Sequence, residues 1–180
     1  MNYWEFFVLI NGLIYIWLIA NQNRLGWVFG VLSCSGQIYV SYNAKLYLDC
    51  GLNVFYIALG VIGFVNWGLE TPSKFYKNLK LINWIFIMFA GIFLSIICAL
   101  LFKKFGNASP YLDAFTTVFS IIATFLTIKK YIENWFFWIF IDFILAYLFY
   151  IQELKINASL YFIYFIVAIY GWKQWKNQLR

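Results

Sequence analysis

The sequence predicts an all-α polytopic membrane protein, and three observations support this fold class. Of the 180 residues, 64% are hydrophobic and 24% aromatic, but only 11% are charged, whereas a soluble domain typically carries about 25% charged residues. Apolar segments long enough to cross a bilayer follow one another along the chain. The basic residues cluster between these segments. So few charges could not cover a surface exposed to water.

Seven transmembrane helices are predicted, each close to the roughly 17–25 residues that a bilayer core requires. Both prolines fall outside them, and Pro110 after Ser109 has the pattern of an N-cap followed by proline in the first helical turn. The predicted spans are Tyr3–Ala20, Leu25–Tyr42, Leu48–Trp67, Leu81–Phe102, Leu112–Ile128, Trp135–Tyr150 and Ala158–Trp175.

The distribution of basic residues predicts how the chain is oriented. The segments after spans 1, 3 and 5, together with the carboxyl terminus, hold nine of the 13 Lys and Arg residues, and the opposite side holds four. Loops rich in Lys and Arg stay in the cytoplasm. We therefore expect the N-terminus outside and the C-terminus in the cytoplasm.

An internal repeat predicts the arrangement of the helices. A shift of 108 residues aligns the segment from Trp27 with the segment from Trp135 over 41 positions without a gap, with nine identities. Each copy comprises three helices, and span 4 separates the copies. The prediction is a 3+1+3 arrangement of parallel repeats, as in SWEET-like carriers. Residues 1–69 form the first bundle, 70–110 the linker with helix 4, and 111–180 the second bundle.

The composition also disfavours several classes of function. The chain has no histidine, which removes the commonest general base and the commonest metal ligand. Its three cysteines are widely spaced, so we expect neither a disulfide framework nor a metal site. Its positive charge follows the loops, so we expect no nucleic-acid partner. We predict no cofactor and no enzymatic activity, and we interpret the first apolar segment as a span and not as a cleavable signal peptide.

The candidate site centres on Asp142, the one ionisable residue in the middle of a predicted span. An acid at the bilayer centre costs about 2.5–3.5 kcal/mol on insertion scales and therefore needs a reason. Trp135 and Trp138 share a helical face with Asp142. An aromatic wall leading to a carboxylate suits a flat cationic ring. The alternative is an interfacial tryptophan belt with Asp142 bonded to a neighbouring helix.

Further polar residues in the spans complete the predicted substrate-binding set. Span 2 carries Ser33, Gln37 and Ser41 on one stripe, and span 5 carries a hydroxyl stripe that starts at Thr117 and could equally serve helix packing. Asp49 is interpreted as a loop carboxylate outside the site. The remaining candidates for substrate contact are Asn11, Asn53, Asn66 and Tyr147.

Two stretches of the chain carry a resemblance to a known family. "TTVFSIIATFLTIKKYIENWFFW" with Asp142 and the later "YGW", and "LYLDCGLNVFYIALGVIGFVNW", resemble the PnuC-type vitamin transporters. The resemblance covers essentially the whole chain, and the W-x-x-W pair at Trp135 and Trp138 matches the family hallmark. The chain departs from many nicotinamide riboside members at Asn53, at Ile62–Phe64 and at Asp142.

The resemblance implies facilitated diffusion of a vitamin across the bacterial cytoplasmic (inner) membrane, without ATP or a coupling ion. It also implies a cytoplasmic kinase that traps the vitamin, and a homotrimer. Because Asp142 replaces an amide found in some members, the departures slightly favour thiamine, whose thiazolium ring is permanently positive. Nicotinamide riboside, also a cation, is almost equal, and riboflavin, which is neutral and bulkier, comes third.

Two classes outside vitamin transport stay open at this point, and a third is disfavoured. A SWEET-like sugar carrier would use amides and stacking aromatics and would need no buried carboxylate. A non-transporting subunit of an assembly is the other open alternative. An intramembrane enzyme is disfavoured, because no second acid or nucleophile array accompanies Asp142.

Overall fold

The computed structural model describes residues 3–43, 47–69, 77–104, 110–151, 153 and 155–177. Over these ranges the chain forms seven α-helices that match the predicted spans to within three residues at each end. Pro110 is the first residue of its helix, as expected, and Ser109 lies outside the described residues. The helices are α1 (Tyr3–Ala20), α2 (Leu25–Asn43), α3 (Tyr47–Leu69), α4 (Leu81–Lys104), α5 (Pro110–Ile128), α6 (Asn134–Ile151) and α7 (Lys155–Asn177).

Five of the helices are long and apolar enough to cross a membrane by length and composition. These segments lie in α1, α3, α4, α5 and α6. Helices α2 and α7 are less apolar, because serines and Gln37 interrupt α2, and lysines stand in α7. A helix satisfies its own backbone hydrogen bonds, so it can cross lipid wherever its side chains allow.

The first compact unit contains α1, α2, α3 and the part of α7 from Ile166 onward. Three buried tryptophans hold it together at one end. The rings of Trp27 and Trp67 lie 5.6 Å apart in an edge-to-face arrangement, and Trp67 lies 6.0 Å from Trp175. The indole nitrogen of Trp175 donates a hydrogen bond to the carbonyl oxygen of Ala20 at 3.1 Å. This bond joins α7 to the end of α1.

The second compact unit contains α4, α5, α6 and α7 as far as Phe165. Its core is a cluster built from Phe119, Ala123, Leu126, Phe137 and Ile141. The ring of Phe137 stacks on Phe119 at 5.7 Å and on Trp84 of α4 at 5.2 Å. Aromatic stacking thus joins α4, α5 and α6.

Two turns of the chain share one geometry at the spacing of the sequence repeat. The turn after α1 contains Gln22 at a φ of 62°, and the turn after α5 contains Lys130 at a φ of 58°. In both turns the next amide reaches back five residues, from Asn23 to the carbonyl of Leu18 and from Tyr131 to that of Leu126. This is the Schellman arrangement of a helix terminus. The repeated sequences therefore fold the α1–α2 and α5–α6 turns alike.

A glycine in α3 permits the close approach of Trp27. A Cβ atom at Gly63 would lie 2.5 Å from the indole ring of Trp27, whereas one at Gly51, in the same helix, would have no neighbour within 4 Å. We expect Gly63→Ala to destabilise the protein by about 1–3 kcal/mol through overpacking. Gly51→Ala should stabilise it by up to about 1 kcal/mol, because alanine favours the helix. Thermal unfolding of both variants in detergent checks this, and equal melting temperatures would contradict it.

Candidate functional site

One face of α6 carries the central residues of the candidate site. The turn before this helix is closed by hydrogen bonds from the amides of Asn134 and Trp135 to the carbonyls of Tyr131 and Ile132. The Glu133 carboxylate accepts a 2.9 Å bond from the amide of Leu79, which fastens the segment before α4 to this turn. The start of α6, and with it the direction of its side chains, is therefore fixed from two sides.

Asp142 lies near the middle of α6 and is 2% exposed. Its Oδ2 has no hydrogen-bond partner among the described residues. A buried polar group without a partner costs free energy, and a charged one costs more. The alternative interpretation of the sequence was that Asp142 forms a hydrogen bond with a neighbouring helix. In the described part of the chain, Oδ2 forms no such bond. The hydrogen-bonding capacity of this buried oxygen is therefore not used by the described residues.

The two tryptophans of α6 are buried to different degrees. Trp135 is 1% exposed, and Trp138, one turn further along, is half-buried and packs on the Phe119–Ile141 cluster. The Trp138 indole nitrogen lies 3.5 Å from the hydroxyl oxygen of Thr127, the long limit of a hydrogen bond. Trp138 is thus partly exposed, and it lies on the helix face that carries Asp142.

Two other candidates of the second unit are less buried than Asp142. Thr117 in α5 is half-buried. Tyr147 is 63% exposed and therefore points away from the packed interior of its unit. In the rest of the α5 hydroxyl stripe, Thr124 and Thr127 donate to carbonyls of their own helix. This bonding fits the packing interpretation of the stripe.

The remaining candidates belong to the first unit, where three asparagines bond in the same way. The side-chain nitrogens of Asn11, Asn53 and Asn66 each donate to the carbonyl four residues earlier in the same helix, at 2.8–2.9 Å. Asn11 and Asn53 are buried, and Asn66 is half-buried. This arrangement satisfies the nitrogen within the helix and leaves each carboxamide oxygen as an acceptor.

Asp49 accepts hydrogen bonds from the polar stripe of α2, a contact that the sequence interpretation missed. The carboxylate lies in the first turn of α3, half-buried, and not in a loop, so the expectation of a loop carboxylate was wrong. Its Oδ2 accepts hydrogen bonds from the Ser41 hydroxyl and, at 3.3 Å, from the Gln37 amide. The polar stripe of α2 was the available signal, because an aligned Gln and Ser need an acceptor on a neighbouring helix.

The nine predicted site residues are thus distributed over two compact units. The second unit holds Trp135, Trp138, Asp142, Thr117 and Tyr147, and the first holds Asn11, Gln37, Asn53 and Asn66. Within the described ranges, no group of three or more Cys, Asp or Glu side chains could hold a metal ion.

Helices of bilayer length that expose apolar side chains are typical of a multi-pass helical membrane protein, and the chain belongs to this class. The chain belongs to the nicotinamide mononucleotide transporter family, whose model matches residues 2–177. This confirms the resemblance noted in the sequence, and it makes the protein a membrane transporter and not an enzyme. The expected location in the inner membrane is likewise supported by the family.

Individual relatives cover most of the chain at modest identity. The nicotinamide riboside transporter PnuC of Neisseria mucosa is 26% identical over 95% of this chain and 71% of its own length. PnuC of Escherichia coli K12 is 24% identical, over 95% of this chain and 84% of that protein. The riboflavin/roseoflavin transporter RibM of Streptomyces davaonensis is 23% identical, over 89% and 79%.

A solved structure has the same fold. The crystal structure of the vitamin B3 transporter PnuC superposes with a TM-score of 0.79 at 25% identity, covering 96% of this chain and 80% of that one. The helical architecture of the chain is therefore that of a known vitamin transporter.

The contact between Ser41 and Asp49 generates a stability prediction. Ser41 is 1% exposed and donates to a carboxylate, and hydrogen bonds to charged groups contribute about 1.5–3 kcal/mol. We expect Ser41→Ala to lower the free energy of unfolding by about that amount. Ser35→Ala is the matched control, because Ser35 is exposed on the same helix and donates to its own helix carbonyl. If thermal unfolding shows equal losses, Ser41 does not join α2 to α3.

Proposed function

We propose that the protein carries a small cationic vitamin across the inner membrane, with nicotinamide riboside as the first candidate. The observation that carries the proposal is the buried Asp142 with its unpartnered oxygen, on the same face of α6 as Trp138. A permanently charged, flat ring satisfies both groups, because the carboxylate supplies the counter-charge and the indole supplies a face for stacking.

The choice among vitamins follows the relatives and the chemistry of the site. The relatives described above carry nicotinamide riboside and riboflavin in their names. These names give no support to the sequence-based lean toward thiamine, so nicotinamide riboside moves ahead and thiamine becomes the alternative. Both vitamins are cations and both fit Asp142. Riboflavin is neutral and would leave the carboxylate without a partner, so it ranks third.

The proposed transport mechanism uses the predicted 3+1+3 arrangement of two parallel three-helix repeats. Residues 1–69 and 111–180 would form the two bundles, with the N-terminus outside and the C-terminus in the cytoplasm. The repeated turns at Gln22 and Lys130 support the repeat. Alternating access would then come from one bundle rocking against the other around a fixed site. Asn11, Gln37, Asn53 and Asn66 would contribute amide groups from the first bundle.

The energetics of uptake are also proposed. We infer facilitated diffusion, with net uptake sustained by a cytoplasmic kinase that phosphorylates the vitamin, and we infer a homotrimeric assembly. These inferences rest on the family resemblance in the sequence.

A sugar carrier is the alternative from another class. Amides and aromatic rings also suit a sugar, but an unpartnered carboxylate is not needed to bind a neutral ring. No contact of the described residues favours this alternative over a cationic vitamin.

Replacement of Asp142 tests the proposed counter-charge. Asp142→Asn keeps the shape of the side chain and removes its charge, so binding of nicotinamide riboside should weaken by about one to two orders of magnitude. Isothermal titration calorimetry measures the change. Glu153→Gln is the matched control, because Glu153 is an exposed turn residue and the substitution also converts an acid to an amide. Equal affinities for the two variants would remove Asp142 from the site.

The substrate class is tested by a ligand screen on the purified protein. Nicotinamide riboside should raise the melting temperature most, because it pairs with Asp142 and stacks on tryptophan, and binding to the folded state stabilises it. Thiamine, riboflavin and monosaccharides are screened in parallel. Larger stabilisation by thiamine would reverse the order of the two cations, and stabilisation by monosaccharides alone would refute the vitamin proposal.

A further inference from the structure

Asn134, the first residue of α6, has an acceptor that the structure does not use. Its side chain is 0% exposed. The Nδ2 atom donates to the carbonyl of Tyr131 at 2.6 Å, but Oδ1 has no hydrogen-bond partner among the described residues. A buried amide oxygen in such a position is normally paired, so each exception calls for an explanation.

The turn that contains Asn134 does not itself require an asparagine. The counterpart of Asn134 in the first repeat is Gly26, which has no side chain. Both residues donate their amide hydrogen to the equivalent carbonyl, Gly26 to Asn23 at 2.9 Å and Asn134 to Tyr131 at 3.2 Å. The same turn therefore forms with and without the carboxamide. The side chain of Asn134 is an addition of the second repeat.

A second unpartnered acceptor lies on the same face of the same helix. Asn134 and Asp142 are eight residues apart, which places them about 12 Å apart along the helix axis and about 80° apart around it. Trp138 lies halfway between them along the helix and is half-buried. Along the helix, the face therefore presents an acceptor, then an aromatic side chain, then a second acceptor. This order matches a flat ring that carries polar groups on two opposite sides.

We propose that Asn134 determines specificity for the transported vitamin, its Oδ1 accepting a hydrogen bond from a donor group on the side of the ring opposite Asp142. The proposal rests on the proposed function and extends it. In nicotinamide riboside the pyridinium ring carries a carboxamide on one side and ribose hydroxyls on the other, and both are donors. With the ring on Trp138, one group reaches Asn134 while the other faces Asp142.

The test combines one variant with two ligand analogues. Affinities of wild-type protein and Asn134→Ala are measured by calorimetric displacement for nicotinamide riboside, for the ribosylpyridinium ion that lacks the carboxamide, and for N-methylnicotinamide, which lacks the ribose. Asn134→Ala should weaken binding of nicotinamide riboside about tenfold, the effect of one lost hydrogen bond. This weakening should disappear for the analogue that lacks the donor facing Asn134. An equal weakening for all three ligands, or none for any, would overturn the proposal.

Two further variants separate recognition from folding. Asn134→Asp keeps Oδ1 but loses the donor to Tyr131, so it should retain the discrimination between nicotinamide riboside and the analogue even if its melting temperature falls. Asn43→Ala is the control, because Asn43 is exposed on α2 and its side-chain nitrogen also donates to a nearby backbone carbonyl, that of Tyr39. Its affinities should equal those of the wild type. Loss of discrimination in Asn134→Asp would overturn the proposal.

Different results would refute the proposed substrate and the proposed role of Asn134. If wild-type protein does not bind nicotinamide riboside, this vitamin is wrong as the proposed substrate and the role of Asn134 falls with it. If wild-type protein binds the vitamin and Asn134→Ala binds it equally well, the role of Asn134 alone is refuted.

Discussion

In the packed interior of this protein, polar groups have little water to hydrogen-bond with, so they need partners within the protein. This constraint applies both to the helices and to the candidate site. Helices satisfy the backbone within each segment, which is why apolar runs of bilayer length can fold in lipid. Polar side chains follow the same rule where they can. Asn11, Asn53 and Thr124 each donate to a carbonyl of their own helix. Such bonds remove the cost of burial without engaging another element.

Against this pattern, the two acceptors on α6 stand out. Asp142 and Asn134 are both buried and each has an oxygen without a partner among the described residues. Such atoms are exceptions in protein interiors, and each calls for an explanation. The half-buried ring of Trp138 lies between the two acceptors. One helix thus carries a buried carboxylate, a half-buried indole and a buried carboxamide, and α4 and α5 pack against it through the Phe119–Ile141 cluster.

The repeat explains which features are common scaffold and which are specific to the second copy. The turns at Gln22 and Lys130 and the buried tryptophans Trp27 and Trp135 recur in both copies. The polar groups do not recur, because Gly26 stands opposite Asn134 and Cys34 opposite Asp142. The first copy instead carries its carboxylate on another helix, where Asp49 bonds Ser41 and Gln37. The two copies thus share the turn geometry and the buried tryptophans, and they differ in their polar groups.

The sequence could predict the helices and the central acid, since both are local properties. A run of apolar side chains of bilayer length determines where each helix begins and ends, because the helix needs no partner to satisfy its backbone. Asp142 was visible because it is the one acid in the middle of such a run. Trp135 and Trp138 were visible because helical periodicity places them on its face.

Contacts between distant segments decided the rest. The pairing of Asp49 with Gln37 and Ser41 depends on how α3 packs against α2, and the buried oxygen of Asn134 depends on how the α5–α6 turn closes. The grouping of α4 with α5 and α6 through stacked rings is a further example. Periodicity records which face of a helix is polar, but not which atom on a neighbouring segment reaches it. The sequence by itself therefore determined the helices and the acid at the centre of α6, and the tertiary structure decided which polar atoms have partners, because hydrogen bonding depends on distances that packing sets.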